Sequence, residues 1–192
     1  MNRRGAFPGV VLAMAAALPA AAQVPPVRFE LVLVRNTAQP VPVEFTAKEI
    51  SASVLAETNR VRSLHKLEPL KPLAKLDLAA DDQAIYLTMA LRAAHESPLK
   101  DQKDVRERVE HRGLYPTVVA ENVIAMNFTG SREPPTSLAA LAAALVAQWM
   151  DSPAHRENLL NPEMTHLGCA TRRATIPDRA EFFYSVQVFA AF

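Results

Sequence analysis

The sequence predicts an α+β fold with a central antiparallel sheet. Segments with apolar residues at helical spacing make up much of the chain, and one β-prone segment, 118–126, lies between them. Two further β-prone segments, 165–173 and 181–190, follow each other directly, which favours antiparallel pairing. The alternation of strands and helices that is typical of parallel βαβ units does not occur in the sequence. We therefore expect helices packed in layers against an antiparallel sheet.

Two helices are predicted at the start of the folded part of the chain. Thr46 and Glu49 have the spacing of a capping box, which predicts a helix over 47–65. A second helix is predicted over 75–94, and His95 follows it directly. The apolar residues of this second helix include Leu78, Ile85, Met89 and Leu91, together with many alanines.

Three elements are predicted in the middle of the chain. A short charged helix over 101–112 is ended by Gly113, and a strand follows over 118–126. A helix over 137–151 is indicated by leucines and a tryptophan spaced three or four residues apart. We expect Pro153 to end this helix, because proline cannot continue the helical hydrogen bonds.

The N-terminus has the three parts of a cleavable export signal. Arg3 and Arg4 give a positive start, an apolar run covers 10–18, and the small residues Ala20–Ala22 provide a cleavage site. The apolar run is shorter than the roughly 20 residues that a membrane-spanning helix needs. We therefore predict a signal peptide over 1–22, export to the periplasm or the extracellular space, and no stable membrane anchor after cleavage.

The remaining chain divides into an extended segment, 23–45, and a folded domain, 46–192. Prolines punctuate the extended segment, and a strand is predicted over 29–34. Loss of the signal peptide removes two of the 21 basic residues and no acid, which leaves 19 basic against 20 acidic residues, a net charge of −1. A near-neutral domain without a basic run argues against nucleic acid as a partner. The only cysteine, Cys169, cannot form an internal disulfide and is expected to be a buried apolar residue.

Candidate site residues are scattered along the chain. The sequence contains no phosphate-binding glycine loop, no Gly-x-Ser-x-Gly elbow and no His-Glu-x-x-His zinc helix. His95 and His155 each lie beside a proline-marked turn, and Glu121 is a carboxylate in an otherwise apolar run. Ser97 has no adjacent base that would activate it as a nucleophile. Spacing alone leaves open whether the two histidines and Glu121 form one metal or acid–base site or have separate structural roles.

Residues 149–162, WMDSPAHRENLLNP, resemble the W-x-x-S-P-x-H-R-x-N-[IL]-L-N-P segment of bacterial CAP domains. This superfamily includes cysteine-rich secretory proteins, antigen 5 venom allergens and plant pathogenesis-related 1 proteins, and its domain is also called the SCP-like extracellular domain. Other segments resemble the family in the same order, namely NRVR at 59–62, AENVI at 120–124 and FYSVQVF at 183–189. The resemblance covers about 47–192.

The resemblance implies an α-β-α sandwich with a cleft. His95, Glu121 and His155 match family positions that line this cleft, and in zinc-binding members the two histidines are the usual ligands. Zn²⁺ is therefore the implied cofactor, held by the two histidines with the glutamate close by. The residues expected to support the cleft are Asn122, Asp151, Arg156 and Asn158.

Two positions depart from the family pattern. Members with the full cleft set carry a second glutamate three residues after the helix tryptophan, where this chain has Ser152. Asp151 is its neighbour, but one step along a helix turns a side chain by about 100°. The glycine that precedes the family's Glu-Asn pair is Ala120 here. The missing acid argues against tight metal binding.

Three functions are compatible with these features. The first is a non-catalytic binding module whose cleft holds a divalent metal or a small-molecule, lipid-like or peptide ligand. The alternative is a metal-assisted extracellular hydrolase of the peptidase type, with Glu121 as general base towards a metal-activated water. A pure interaction domain with an inactive cleft is the third. We favour the binding module, because the sequence offers no activated nucleophile and lacks the second acid; it assigns no catalytic residue and no oligomeric state.

Overall fold

The structure is a computed structural model that describes residues 43–128, 131–176 and 180–192. Within these ranges the elements are, in chain order, α1 (Ala47–Leu64), β1 (Lys71–Pro72), α2 (Ala74–Ala90), α3 (Val105–His111), β2 (Val118–Met126), α4 (Leu138–Asp151), α5 (Pro153–Leu160), β3 (His166–Thr175) and β4 (Glu181–Ala191). The predicted signal peptide over 1–22 and the strand over 29–34 lie outside the described residues, so both stay predictions. No helix in the described ranges combines the length and the apolar content needed to cross a membrane.

The strands of the described residues form one sheet in the order β1-β3-β4-β2. The long strand β4 pairs antiparallel with β2 on one side and with β3 on the other, as predicted. At its centre, Gln187 lies between Asn122 of β2 and Cys169 of β3. The sheet is mixed, because β1 pairs parallel to β3 at one edge. A strand of two residues leaves no periodic pattern in a sequence, and the sequence analysis did not predict it.

Helices cover both faces of the sheet, which confirms the α-β-α sandwich. One apolar cluster joins α1, α4 and α5 to one face of the sheet, and a second cluster joins α2 and α3 to the other. The alternation along β4 shows why two clusters form: Phe183 and Phe189 belong to the first, whereas Tyr184, Val186 and Val188 belong to the second. Successive strand residues point to opposite faces, so a strand that is apolar at nearly every position is buried on both.

The N-terminus of α1 confirms the predicted capping box. The Thr46 hydroxyl accepts a hydrogen bond from the Glu49 backbone N–H at 3.2 Å, and the Glu49 carboxylate accepts one from the Thr46 backbone N–H at 2.7 Å. These hydrogen bonds, first from the backbone and then from the side chain of Thr46, hold the pKa of Glu49 below its ordinary value. The helix ends at Leu64, one residue before the predicted end.

The second helix, α2, differs from its prediction in length and in the face that it buries. It ends at Ala90 and turns at Leu91, whose φ is 51°, so His95 lies in a loop rather than at the helix end. The residues buried from α2 are Leu76, Ala79, Ala80, Gln83, Ala84 and Leu87, half of them alanines. The large apolar residues named from the sequence are instead solvent-exposed, namely Leu78, Ile85, Met89 and Leu91.

Gly168 of β3 allows the start of α2 to lie close to the sheet. A Cβ atom on Gly168 would lie only 2.2 Å from the backbone carbonyl carbon of Leu76. The backbones of α2 and β3 therefore approach closely at this point, and a side chain at position 168 would not fit between them.

Two further helix boundaries differ from the sequence analysis. The charged helix α3 begins at Val105, because the Asp104 side chain caps it by accepting a hydrogen bond from the Glu107 backbone N–H. α4 ends at Asp151 as predicted, but a separate helix, α5, begins directly at Pro153. Proline is well tolerated at the first position of a helix, where no intrahelical N–H bond is lost. His155 consequently lies in the first turn of α5.

Candidate functional site

The fold brings His95 and Glu121 into direct contact. His95 lies in the loop after α2, and Glu121 lies in β2 opposite Val188 of the central strand. The His95 Nδ1 atom is 2.9 Å from the Glu121 Oε1 atom. The two side chains differ greatly in exposure, since 59% of the His95 side chain is accessible against 2% of the Glu121 side chain. The pair is therefore an exposed imidazole anchored on a buried carboxylate.

Arg108 of α3 completes this cluster, and the sequence analysis did not identify it. Its Nη2 atom donates to the Glu121 Oε2 atom at 2.5 Å, and its side chain is 1% accessible. The same guanidinium donates to the backbone carbonyl oxygens of His95, Gln102 and Lys103 at 3.3–3.4 Å. The buried carboxylate thus has both a counter-charge and a hydrogen-bonded imidazole. The signal that could have found Arg108 is Glu121 itself, because a carboxylate in an apolar strand requires a buried cation.

The loop that carries His95 is also fixed by Ser97. The Ser97 hydroxyl donates to the Gln102 carbonyl oxygen at 2.9 Å and accepts a hydrogen bond from the Leu99 backbone N–H at 3.3 Å. The Ser97 backbone N–H donates to the Lys103 carbonyl oxygen at 2.9 Å. Ser97 is buried and its hydroxyl closes a turn, which is a structural role rather than that of a nucleophile.

His155 is the second histidine of the site, and it is half-buried in the first turn of α5. Burial, and secondarily the positive charge that His95 can carry, lower the pKa of His155 below its ordinary value of 6.5. The Nδ1 atom of His155 is buried and has no hydrogen-bond partner among the described residues. His155 is therefore a neutral imidazole at neutral pH, close enough to His95 for the two rings to interact electrostatically.

A buried amide network ties the backbone at His155 to the sheet. The Asn122 side-chain amide donates to the His155 carbonyl oxygen at 3.0 Å and to the Gln187 Oε1 atom at 3.1 Å. Asn158 donates to the Asn122 Oδ1 atom at 2.9 Å and to the Glu121 carbonyl oxygen at 3.3 Å. Gln187 continues the network by donating to the Thr58 hydroxyl at 2.9 Å. Asn122, Gln187 and Thr58 are fully buried, so these hydrogen bonds fix α5 relative to β2 and α1.

The remaining predicted support residues lie where α4 meets α5. The Arg156 Nε atom donates to the Met150 carbonyl oxygen at 2.6 Å, which connects the two helices. Asp151 is exposed at the end of α4. Ser152, at the position of the family's second glutamate, forms the junction, and its backbone N–H donates to the Trp149 carbonyl oxygen at 3.2 Å.

The donor atoms of the site fit a metal ion only in part. Among the described residues, no group of three or more His, Cys, Asp and Glu side chains is arranged to hold a metal ion. Glu121 does not add a ligand, because one carboxylate oxygen contacts His95 and the other contacts Arg108. Two imidazoles remain, whereas zinc sites in proteins have three or four protein ligands. The Glu121 carboxylate instead has the position of an outer group that orients a histidine ring.

A cavity adjoins the loop that carries His95. Its volume is about 560 Å³, and it is lined by the loop residues from Glu96 to Asp101, by Tyr86 and Arg92 at the end of α2, and by Lys103 and Glu107. Cations and carboxylates are equally represented in this lining, and Pro98 and Leu99 add apolar surface. The cavity can therefore accommodate a ligand of mixed polarity.

Comparison with known proteins establishes the family. The family model of CAP, the cysteine-rich secretory protein family, matches residues 55–189 of the chain. The chain belongs to this family. The matched region contains the whole cluster of His95, Arg108, Glu121 and His155. No curated protein matches the chain.

Solved structures of other CAP proteins have a similar fold. An extracellular protein containing an SCP domain from Bacillus anthracis is 23% identical with a TM-score of 0.57, and the match covers 76% of this chain and 41% of that chain. An outer surface protein from Borrelia burgdorferi is 20% identical with a TM-score of 0.56, over 77% of this chain and 96% of that one. A cysteine-rich secretory protein from Staphylococcus aureus is 20% identical with a TM-score of 0.52, over 77% and 40% of the two chains. This CAP chain thus spans about two-fifths of the Bacillus and Staphylococcus proteins.

Proposed function

We propose that this CAP protein is an exported, non-catalytic binding module. In this proposal the exposed imidazole of His95, together with His155, binds the polar group of a small-molecule or peptide ligand. The rest of the ligand would extend from His95 to the neighbouring cavity, which begins at Glu96 and is lined by neither histidine. Export rests on the predicted signal peptide over 1–22 and accords with the extracellular relative from Bacillus anthracis.

The observation that carries this proposal is the engagement of Glu121. Turnover by general acid–base catalysis needs a base that can reach the substrate. Glu121 is buried and both of its carboxylate oxygens have protein partners, so it is not available to a substrate. Ser97 is equally committed to its turn. The exposed imidazole of His95 and the half-buried imidazole of His155 are the groups that remain for a ligand to contact.

Zn²⁺ is a useful probe of the paired imidazoles. A neutral imidazole nitrogen is a good zinc ligand, and the low pKa of His155 keeps its ring neutral. His95 and His155 would hold the ion, and when bound it would act as a Lewis acid towards ligand oxygen atoms. We expect weak binding, because two protein ligands are half of the usual four.

Calorimetric titration with Zn²⁺ tests the proposed site. Wild-type protein is expected to bind weakly, and a variant with His95→Ala and His155→Ala is expected to lose binding. The matched control is His65→Ala with His111→Ala, which also removes two histidines, both exposed and neither a member of the cluster. Equal uptake by wild type and the His95/His155 variant would contradict the shared site.

The alternative function, a hydrolase, is favoured by one observation. A carboxylate that holds one nitrogen of a histidine is the arrangement by which enzymes orient a histidine base. His95, anchored on Glu121, has this arrangement. A screen of peptide and ester substrates, with and without a chelator, tests it. Activity that is lost in Glu121→Gln and in His95→Ala would support the hydrolase and overturn the binding module.

A further inference from the structure

Arg108 contacts both halves of the His95–Glu121 pair. Its Nη2 atom donates to the Glu121 carboxylate and to the His95 backbone carbonyl oxygen, and its Nη1 atom donates to the carbonyl oxygens of Gln102 and Lys103. One guanidinium therefore fixes the carboxylate and both ends of the loop that carries His95. A lysine could not reach all of these acceptors, since its donors diverge from a single nitrogen.

We propose that Arg108 is a positioning residue that sets the tautomer of His95, so that its Nδ1 carries the proton and its Nε2 presents a lone pair to the ligand. The inference goes beyond the proposed function, on which it rests only in taking His95 as the group that contacts the ligand. It assigns a role to a residue that would otherwise count as part of the core.

The buried charge of Glu121 is paired with that of Arg108. The Glu121 side chain is 2% accessible, and an unpaired carboxylate at such a position would be strongly disfavoured. Arg108 supplies a permanent positive charge at 2.5 Å. The arginine thereby stabilises the ionised form of the carboxylate in its buried position.

The hydrogen bond between Glu121 and His95 has a defined direction. An ionised carboxylate only accepts hydrogen bonds, so the His95 nitrogen 2.9 Å away must be the donor. A neutral imidazole carries one proton, and placing it on Nδ1 leaves Nε2 as an acceptor. Because most of the His95 side chain is accessible, this second nitrogen is the one that a ligand can meet.

A positioning role and a packing role of Arg108 predict different behaviour of the His95 tautomer. A free histidine side chain favours the tautomer with its proton on Nε2. If Arg108 only fills space, an uncharged side chain of similar length will leave the His95 tautomer unchanged. If Arg108 acts through Glu121, losing its hydrogen bond to the carboxylate will release Glu121 from its position beside His95, and the His95 tautomer will change.

Nitrogen-15 NMR of the imidazole rings, on ligand-free protein at a pH where His95 is neutral, tests the inference. Wild type is expected to show a protonated, pyrrole-type Nδ1 and a pyridine-type Nε2 for His95. We expect Arg108→Lys to keep this pattern and Arg108→Met to lose it in favour of the Nε2-protonated form. Arg112→Met is the matched control, because Arg112 forms a carboxylate pair with Asp82 near the same helix and does not contact His95.

Three results would overturn the inference. A wild-type His95 protonated on Nε2 would do so without any variant. An unchanged tautomer in folded Arg108→Met would do so, as would an equal change in Arg112→Met. If Arg108→Met does not fold, Arg108→Gln keeps hydrogen-bond donors but not the charge, and the same loss of the Nδ1-protonated form is expected.

The tautomer measurement also separates this inference from the proposed function. Zn²⁺ affinity of the same variants is measured in parallel, and a drop of about 10-fold or more is expected for Arg108→Met, the range seen when outer groups of histidine ligands are removed. A correct tautomer pattern without Zn²⁺ binding by wild type would contradict only the shared His95–His155 site of the proposed function. Zn²⁺ binding by wild type with a tautomer indifferent to Arg108 would contradict this inference alone.

Discussion

His95 and Glu121 are 26 positions apart in the chain, yet the Nδ1 atom of one lies 2.9 Å from the Oε1 atom of the other. The contact joins the loop after α2 to the strand β2, which lies at one edge of the sheet beside β4. The loop supplies an exposed side chain and the strand a buried one, so accessibility and rigidity come from different elements. This division is what a recognition site requires, since an exposed group binds specifically only when its orientation is fixed.

The buried pair of Glu121 and Arg108 predicts a large loss of stability on Glu121→Gln. The substitution leaves the Arg108 charge without its partner, and breaking a buried ion pair in this way costs about 3–5 kcal/mol. Urea unfolding is expected to show a loss of about 3 kcal/mol. Glu110→Gln removes the carboxylate of an exposed pair with Arg106, 3.7 Å apart, and is expected to change stability by less than about 1 kcal/mol. Similar effects of the two substitutions would contradict the assignment.

The low pKa of His155 predicts that the free energy of unfolding decreases as the pH is lowered. Burial, then the charge on His95, disfavour protonation of His155 in the folded state, so the unfolded chain binds more protons below pH 6.5. Stability should therefore be complete above about pH 6.5 and decline as the pH falls towards the lowered pKa. Urea unfolding at pH 7.5 and 5.5 measures this decline, and His155→Gln should reduce it. His166, whose pKa is lowered by burial and by Lys71, should account for part of the remainder. An identical decline in His155→Gln would contradict the prediction.

How much of the fold could be predicted depended on whether the deciding interactions are local. The start of α1 was predictable because Thr46 and Glu49 form their capping box within one turn. The buried face of α2 was not, because it is set by packing against strands far along the chain, including the close approach of Gly168, 92 positions after Leu76. The start of α5 at Pro153 was missed because proline is compatible with both an end and a beginning of a helix.

The contact between His95 and Glu121 could be expected only through the family resemblance. Spacing along the chain left His95, Glu121 and His155 unconnected, and the segment around His155 supplied the connection. Arg108 was missed because nothing in a charged helix marks one arginine as buried. The local pattern of α3 is that of an exposed helix, and only the contact with Glu121 across the fold distinguishes Arg108 from Arg106.

The predicted signal peptide implies a defined mature N-terminus. Cleavage after Ala22 would give a secreted protein that begins at Gln23. N-terminal sequencing of the protein from the extracytoplasmic fraction checks this. Ala22→Asp, which places a charge at the small-residue site, should retain the uncleaved chain. Protein that stays in the cytoplasm with Met1 intact would contradict export.

The close approach at Gly168 predicts that Gly168→Ala destabilises the fold. The new Cβ atom would lie 2.2 Å from the Leu76 carbonyl carbon, which is backbone and cannot rotate away. Overpacking of this kind costs about 1–3 kcal/mol and forces α2 away from β3. Thr175→Ala, at the exposed end of the same strand, is the control and should change stability by less than about 0.5 kcal/mol. Unfolding free energies that agree for the two variants would contradict the close packing of α2.

Arg62 predicts that α5 is anchored through its C-terminus. The Arg62 guanidinium is fully buried, and it donates to the carbonyl oxygens of Glu68, Leu159 and Asn161 at 2.8–3.0 Å. Two of these carbonyls lie at the end of α5, where they have no partner within the helix. Lysine at this position cannot serve three separated acceptors, so Arg62→Lys should lower the unfolding free energy by about 1–3 kcal/mol.

Arg60→Lys is the matched control for Arg62→Lys, because Arg60 lies on the same helix and its side chain is 61% accessible. This substitution should leave stability within about 0.5 kcal/mol of wild type. Hydrogen exchange should locate the effect, because amides of α5 should exchange faster in Arg62→Lys than in wild type. Amides of α2 lie on the opposite face of the sheet. After the contribution of global unfolding is subtracted, their protection should equal that in wild type. Because α5 carries His155, its loosening should also weaken Zn²⁺ binding, although Arg62 contacts neither histidine ring. Faster exchange spread evenly over both helices would instead mean that Arg62 stabilises the domain as a whole and has no particular role in holding α5.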